Sequence, residues 1–238
     1  MNLLKIIFIY LNLIHKKIIS KKYFYSYGGI DSVVNDIFKN QKNGFYVDVG
    51  AQHPIKNNNT YLLHKKGWEG INIDLDQKNI NLFNVSRKND CNICAALSSL
   101  EKDANLYYYH EGSPINTLSK EIADRQKAII KETRAIRTKT LTSILENSKF
   151  KNKEIDFLSI DVEGVELEVL QGLNLNIYKP KIIVVELLDL DSKKLEIKNL
   201  NINNVINSEI YKYIEKNNYT MINWLHSDIV FVNNKFRD

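Results

Sequence analysis

The segment G-F-Y-V-D-V-G-A-Q-H-P, residues 44–54, decides the fold. Phe45 to Val49 are apolar, aromatic or β-branched around one acid, which predicts a buried strand. Gly50 and Ala51 follow at once, and a turn of small residues lets a ligand approach the backbone closely. Ligands of an open parallel sheet bind beyond the carboxyl ends of its strands, where the carboxylate of Asp48 can accept hydrogen bonds. The alternative is a buried acid that only caps its own turn.

A second acid follows the next predicted strand, Gly70 to Leu75. Asp74 lies about 20–25 residues past the glycine turn, the position from which a carboxylate hydrogen-bonds a ribose diol. Asp76 comes two residues later and suits the N-cap of a helix near Gln77–Ser86. We therefore expect Asp74 to face a ligand and Asp76 to cap the helix.

A third segment, I-D-F-L-S-I-D-V-E-G-V-E-L-E-V-L-Q-G, covers residues 155–172. Phe157 to Ile160 predict a strand, and Asp161 stands at its carboxyl end. Three glutamates follow on the next turn and helix: Glu163, Glu166 and Glu168. Four acids in eight residues are costly to hold near one strand end without cationic or hydrogen-bonding partners. This strand end is therefore a candidate site.

Composition fits one α/β domain of 238 residues with 44% hydrophobic residues. The formal charge of +5 comes from 28 lysines and only five arginines. Because arginine is the preferred residue for gripping phosphates, we expect no nucleic-acid partner. Cys91 and Cys94 form a lone C-x-x-C, which lacks the further cysteines of a zinc site. Two reduced cysteines suit a cytoplasmic protein.

Residues 1–20 are the most apolar segment, but Lys5 interrupts them and leaves too few residues for a membrane span of about 20. Lysines at 16, 17, 21 and 22 stand where a signal peptide would carry its cleavage site. We predict a helical extension, residues 1–26, ahead of a catalytic domain, residues 27–238. The extension is expected to dock on its own domain or on a partner. The alternative is peripheral contact of residues 1–22 with an anionic membrane.

Apolar periodicity and capping residues predict the remaining elements. Ser113 to Lys139 is polar and basic with one helical run near Glu121–Ile130, and is the candidate lid or substrate loop. The other elements are helices at Ile30–Asn40 (capped by Asp31 or Ser32), Asn57–Lys66, Leu141–Glu146 (capped by Thr140 or Thr142) and Asn207–Asn217, strands at Cys91–Ser98, Ala104–His110 and Lys181–Glu186, and a closing antiparallel pair at Tyr219–Trp224 and Ile229–Val232.

Three segments together resemble the FkbM-type family of S-adenosylmethionine-dependent methyltransferases. They are F-Y-V-D-V-G-A-Q-H-P at 45–54, N-N-T-Y-L-L-H-K-K-G-W-E-G-I-N-I-D at 58–74 and D-F-L-S-I-D-V-E-G-V-E-L-E-V-L-Q-G at 156–172. The likeness covers residues 40 to about 190 and departs at Gln52 and His53, where many methyltransferases carry further glycines. It implies a Rossmann-like, doubly wound α/β fold: a mostly parallel seven-stranded sheet with a C-terminal antiparallel hairpin.

The resemblance also implies a cofactor, S-adenosylmethionine, and the residues that hold it. It places Asp48, Gly50 and Ala51 at the methionine end and Asp74 on the ribose hydroxyls. Cys94 to Ala96 would pass near the adenine, which makes Ala95 and Ala96 cofactor-binding residues. Asp161 would bind the cofactor too and, with Glu163, face the transferred methyl group. Family members are associated with O-methylation of sugars and other small hydroxylated molecules, so the implied substrate is a hydroxyl of a small molecule or glycan.

A hydroxyl nucleophile needs a proton acceptor in addition to alignment with the methyl group. Asp161 and Glu163 are the candidate bases, and His53 is a further one because histidine titrates near neutrality. The paired acids also suit oxygen ligation of a divalent cation, although the sequence assigns no metal ligand. A nicotinamide-dependent oxidoreductase would carry G-x-G-x-x-G after the first strand, which D-V-G-A-Q-H lacks. A non-catalytic module with the same fold stays an alternative.

Overall fold

The computed structural model describes residues 24–126, 128–187 and 201–237, together with eight helical residues between positions 3 and 14. The described strands are β1 (Phe45–Val49), β2 (Glu69–Asp74), β3 (Cys91–Cys94), β4 (Asp103–Tyr108), β5 (Glu132–Arg137), β6 (Phe157–Ile160), β7 (Ile182–Glu186), β8 (Tyr219–Leu225) and β9 (Asp228–Asn233). The described helices are α1 (Ile30–Ile37), α2 (Tyr61–Lys65), α3 (Gln77–Ser86), α4 (Lys120–Arg125), α5 (Leu141–Glu146), α6 (Glu166–Gln171), α7 (Ile202–Asn207), α8 (Glu209–Lys216) and α9 (Asn234–Arg237).

Seven strands form one sheet in the order β3-β2-β1-β6-β7-β9-β8. The first five run parallel, while β9 pairs antiparallel with β7 and β8 with β9. This topology confirms the predicted doubly wound, mostly parallel sheet with a C-terminal antiparallel hairpin. The strand order reverses beside β1, so the carboxyl ends of β1 and β6 adjoin at the point where such sheets bind ligands.

Strands β1, β6 and β7 are buried along their whole length, because hydrophobic residues cover both faces of the sheet. One cluster includes Val47, Leu158 and Phe231 on one face, and a second includes Tyr46 and Phe157 on the other. Burial on both faces explains why these strands are near-continuous apolar runs rather than alternating patterns. The sheet is thus a rigid support for whatever lies beyond its strand ends.

The segment 113–139 differs from its prediction. Its helix α4 is shorter than the predicted run Glu121–Ile130, and a strand, β5, follows that the sequence did not indicate. β5 pairs antiparallel with β4 in a separate two-stranded sheet. Five of its six residues are exposed, so it carries no apolar pattern, and its pairing depends on a distant segment. β3 also ends at Cys94 rather than Ser98.

Two predicted helix starts are wrong for a common reason: polar side chains bond elsewhere. Neither Asp31 nor Ser32 caps α1, since Gly29 occupies the N-cap and Asp31 accepts from the Ser26 hydroxyl at 2.6 Å. The helix predicted at Asn57–Lys66 is only Tyr61–Lys65, because the side chains preceding it contact a buried acid described below.

The remaining helix predictions are closer. Ser208 is the C-cap of helix α7, and the same residue caps the start of α8. The helix predicted at Asn207–Asn217 therefore corresponds to α8, and α7 is a separate helix before it. Thr140 caps α5, as one of the two predicted alternatives.

Most of the described apolar side chains near the N-terminus are exposed. Leu3 is 68% exposed and Leu11 is 62% exposed. Lysines 16, 17, 21 and 22 lie outside the described residues. Among the residues that the structure describes, no helix is both long enough and apolar enough to cross a membrane.

Candidate functional site

Two cavities open at the carboxyl ends of the parallel strands. The first cavity has an empty volume of about 560 Å³, open solvent included. The second cavity has an empty volume of about 970 Å³. Gly50, Gln52, Pro114, Asp161 and Glu163 line both, so the two cavities meet at these residues.

Gly50 is required by the backbone of the neighbouring strand. Its φ is +78°, and a Cβ built on it would lie 1.6 Å from the carbonyl oxygen of Asp161. The sequence predicted close approach of a ligand here, whereas the structure shows close approach of the chain itself. Gln52, which stands where a further glycine was expected, has a φ of +49° and adopts the left-handed conformation without one.

Asp74 presents its carboxylate to the first cavity from the end of β2. One oxygen accepts from the Asp76 amide at 2.8 Å and from Asn79 Nδ2 at 3.1 Å, and the other from the Gln52 amide at 2.9 Å. Burial raises the pKa of Asp74, and these hydrogen bonds oppose that rise. The second oxygen therefore keeps capacity to accept a ligand hydroxyl.

Asp76 caps α3, as the sequence predicts, by accepting from the Lys78 amide at 2.9 Å. It also accepts from the Gly112 amide at 2.6 Å and so holds the segment after β4 close to the first cavity. Ser113 and Pro114, at the start of the predicted lid, line that cavity.

Asp48 does not line either cavity. It is buried, and its Oδ2 accepts from Asn58 Nδ2 at 3.0 Å and from the Thr60 hydroxyl at 2.8 Å. Ala51 is buried too, and its carbonyl accepts from the same Asn58 amide. Burial raises the pKa of Asp48, and the charge of Arg87 lowers it. Asp48 and Ala51 thus hold the loop after Gly50 in place. Their predicted contact with a cofactor stays a prediction.

Arg87 holds the same loop in place, a role that the sequence analysis did not predict. Arg87 directly follows α3 and is only 1% exposed. Its guanidinium donates to five groups: the Tyr46 hydroxyl, Thr60 Oγ1, Asn72 Oδ1, the Pro54 carbonyl and Asn58 Oδ1. A planar group with fixed donors suits such a network. The loop that carries Gly50 and Gln52 is therefore anchored to the sheet.

Ala95 and Ala96 line the first cavity directly after β3, together with the apolar side chains of Ile73, Leu75 and Leu97. The sequence placed these two alanines near an adenine. The structure places them on an apolar wall, next to the polar carboxylate of Asp74. The first cavity therefore has an apolar part and an acidic part.

Asp161 and Glu163 stand where the two cavities meet. Asp161 is open to the cavity, yet protein surrounds its carboxyl group closely enough that burial is the main cause raising its pKa well above the usual range. The charges of Glu186 and Glu163 add to that rise. Glu163 has a φ of +58°, and its carbonyl accepts from the Thr117 hydroxyl at 2.7 Å. The sheet thus sets the direction of the Asp161 side chain, and a strained turn sets that of Glu163.

Glu166 holds this turn in place. Its Oε1 accepts from the Val162 amide at 3.1 Å and from the Gly164 amide at 2.9 Å. Burial raises the pKa of Glu166 to about 7, and the Gly164 hydrogen bond opposes that rise. Glu168 lies away from both cavities and bonds Ser98 and Lys102. The four clustered acids therefore have separate roles.

His53 is not brought into this group. Its Nδ1 accepts from the backbone amides of Ile55 at 3.1 Å and Lys56 at 3.0 Å, and it lines neither cavity. Burial lowers the pKa of His53. In the structure His53 thus stabilises the turn of its loop. Its role as a further candidate base stays a prediction.

The model of the Methyltransferase FkbM domain matches residues 48–221, which include the acids Asp74, Asp161, Glu163 and Glu186 described above. No curated protein gives a significant match to the chain. The strand order, with a C-terminal antiparallel hairpin, is typical of the class I methyltransferase fold.

Proposed function

The chain belongs to the FkbM methyltransferase family, and we propose that it transfers a methyl group from S-adenosylmethionine to a hydroxyl group of a small molecule or glycan. One observation carries this proposal: two cavities meet at a pair of carboxylates. Two reactants held in adjoining cavities can be aligned for direct transfer, and a carboxylate at the junction can take the proton that a hydroxyl loses.

The first cavity has the chemistry that S-adenosylmethionine requires. The carboxylate of Asp74 accepts hydrogen bonds, as a ribose diol needs, and the apolar wall of Ala95 and Ala96 suits a purine ring. Asp161 and Glu163 also line this cavity, and their acidic groups suit the sulfonium and ammonium charges of S-adenosylmethionine. Opposite charges within about 4–6 Å stabilise one another, so a cationic ligand would relieve the repulsion between these acids.

S-adenosylmethionine supplies a methyl group that is activated by its bond to a sulfonium sulfur. The chain's own residues align the acceptor and take up its proton. In the proposed step the hydroxyl proton passes to the carboxylate of Glu163 while the hydroxyl oxygen forms a bond to the methyl carbon. The carbon–sulfur bond breaks, and its electron pair stays on sulfur. Asp161, whose direction the sheet fixes, orients the reacting groups.

Loss of the Asp74 carboxylate is expected to weaken cofactor binding. Asp74→Ala should reduce the affinity for S-adenosylhomocysteine by about 1–3 kcal/mol, because a buried hydrogen-bonding group would lose its partner. Isothermal titration calorimetry measures this difference. Asp103→Ala removes an exposed acid on β4 and serves as the control, with unchanged affinity. Folded wild-type protein that does not bind S-adenosylhomocysteine would contradict the proposed cofactor.

An NAD-dependent enzyme and a non-catalytic module are the alternatives on a similar fold. A ligand that binds only the native state raises the melting temperature, so thermal shifts with S-adenosylmethionine and with NAD separate the three cases. We expect a shift with S-adenosylmethionine alone. A shift with NAD alone would support an oxidoreductase, and no shift with either would support a non-catalytic module.

For residues 1–22 we propose peripheral contact with an anionic membrane, since apolar side chains such as Leu3 and Leu11 are exposed and lysines follow them in the sequence. The expected result is co-flotation with vesicles containing phosphatidylserine, weakened by salt because screening shortens the reach of the lysine charges. Deletion of residues 1–22 should abolish flotation and leave binding of S-adenosylhomocysteine intact. Wild-type protein that fails to float, yet changes oligomeric state on deletion, would indicate docking on a protein partner instead.

A further inference from the structure

The second cavity is lined by acids and by no base among the described residues. Asp161, Glu163, Glu186 and Asp228 all contribute to its wall. Carboxylates gathered around one cavity repel one another, and the repulsion is costly where water is partly excluded. A cavity with this lining is suited to a cation.

Glu186 provides an independent sign of a missing partner. The residue is only 7% exposed, and its Oε1 accepts from the Ser227 hydroxyl at 2.9 Å. Its Oε2 is buried and has no hydrogen-bond partner among the described residues. Buried carboxylate oxygens in native proteins are almost always paired with a donor or an ion. An oxygen left without one at a cavity wall therefore points to a ligand.

The sheet sets the positions of two of these acids. Ile160 lies opposite Val185 in the parallel pairing of β6 with β7, so Asp161 and Glu186 come at the same level of adjacent strands. The turn after β6 adds Glu163. Sequence reasoning identified Asp161 and Glu163 as paired acids, but the adjacency of β6 and β7 was needed to add Glu186.

The three acids have the spacing of ligands to one ion. One carboxylate oxygen from each of Asp161, Glu163 and Glu186 lies within 4.8 Å of the other two. A hard divalent cation holds oxygen ligands at about 2.0–2.6 Å, so two ligands on opposite sides are about 4–5 Å apart. Oxygen-only ligands favour Mg²⁺, Mn²⁺ or Ca²⁺ over softer metals.

We propose that Asp161, Glu163 and Glu186 bind one divalent cation of the Mg²⁺ class at the junction of the two cavities. This inference rests on the proposed function in one respect: with S-adenosylmethionine in the first cavity, the acceptor would occupy the second, where the cation would bind its hydroxyl and favour loss of the proton. A carboxylate that ligates through one oxygen keeps its other oxygen to accept that proton. Glu163 then serves both as a ligand and as the proton acceptor.

The test is metal binding by the full chain, measured without reference to activity. Purified protein freed of metal by a chelator is titrated with MnCl₂, and free Mn²⁺ is followed by its electron paramagnetic resonance signal. MgCl₂ is then added to show competition. We expect one bound Mn²⁺ per chain that Mg²⁺ displaces. Glu186→Gln should weaken Mn²⁺ binding by at least about tenfold, the scale on which loss of metal-site residues acts.

Asp228→Asn is the matched control, because it removes the same charge from the same cavity but not from the group of three. It should weaken Mn²⁺ binding less than Glu186→Gln does. Equal weakening by both would show attraction to general negative charge and overturn the site. If Glu186→Gln does not fold, judged by circular dichroism, Glu163→Gln on the turn replaces it with the same expected loss.

Binding of S-adenosylhomocysteine to the same samples separates the two proposals. Protein that binds S-adenosylhomocysteine but neither Mn²⁺ nor Mg²⁺, alone or together with it, overturns the metal site and leaves the methyltransferase proposal standing. Protein that binds Mn²⁺ through Glu186 but not S-adenosylhomocysteine supports the metal site and contradicts the proposed cofactor.

Discussion

Replacing Gly50 with alanine is expected to destabilise the folded state by more than about 4 kcal/mol, at the extreme of single substitutions. The new Cβ would lie 1.6 Å from the carbonyl oxygen of Asp161, a backbone atom that cannot rotate away. The Asp161 amide donates to the carbonyl of Val49 at 3.0 Å, so the clash falls where β1 pairs with β6 at the centre of the sheet. Relief requires separating the two strands whose ends form the site.

Gly67→Ala is the matched control for this substitution. Gly67 has a φ of +94°, close to the +78° of Gly50, but no heavy atom lies within 4 Å of its Cβ position. Its replacement should cost only the backbone strain of a left-handed residue, about 1–2 kcal/mol. Urea unfolding followed by circular dichroism compares both variants with wild type. Similar losses in the two variants would mean that the strand ends move apart easily, and the rigid site described here would be wrong.

The parts of this fold that the sequence predicted are those with local signals. Phe45–Val49 and Phe157–Ile160 are largely apolar runs followed by turns, so both strands were predicted with the observed bounds. The division between Asp74 at the cavity and Asp76 at the helix cap followed from the spacing of Asp74 after the glycine turn and from the capping preference of Asp76. Topology rules then bring the strand ends together without any knowledge of side-chain contacts.

The parts that the sequence missed depend on contacts between distant segments. Arg87 looks like one more surface base in a basic chain, yet it donates to residues 15 to 41 positions away. In the sequence, Glu186 is one of several acids that end a strand. Only the adjacency of β6 and β7 places it beside Asp161. The strand β5 has an exposed, polar sequence and exists through its pairing with β4. Tertiary pairing, rather than local propensity, decides all three.

Asp48 and His53 show a related limit. Both stand beside the glycine turn, where a sequence pattern cannot tell a side chain that faces a ligand from one that faces its own loop. The structure shows Asn58 and Thr60 bonded to Asp48, and two backbone amides bonded to His53. A sequence motif therefore locates a site more reliably than it assigns a role to each residue in it.

Glu163→Gln is expected to reduce turnover by about 10²–10⁴-fold, the usual contribution of a positioned proton acceptor. Glutamine keeps the size of the side chain and the left-handed backbone of this turn, but it cannot take a proton. Cofactor affinity should stay near the wild-type value. The Glu163 side chain is longer and freer than that of Asp161, and it lies where the two cavities meet rather than inside the first cavity alone. The measurement is formation of S-adenosylhomocysteine with a hydroxylated acceptor that supports wild-type turnover, at saturating Mg²⁺.

Two further variants make this result specific to Glu163. Glu168→Gln changes the same residue type on α6, where the carboxylate bonds Ser98 and Lys102 away from both cavities, and should leave turnover unchanged. Asp161→Asn should reduce both turnover and affinity for S-adenosylhomocysteine, because Asp161 ends β6 and lines both cavities along a direction that the sheet fixes. If Glu163→Gln instead loses the cofactor and keeps turnover at saturation, the roles of the two acids are exchanged. In that case Asp161, which lines both cavities, is the proton acceptor.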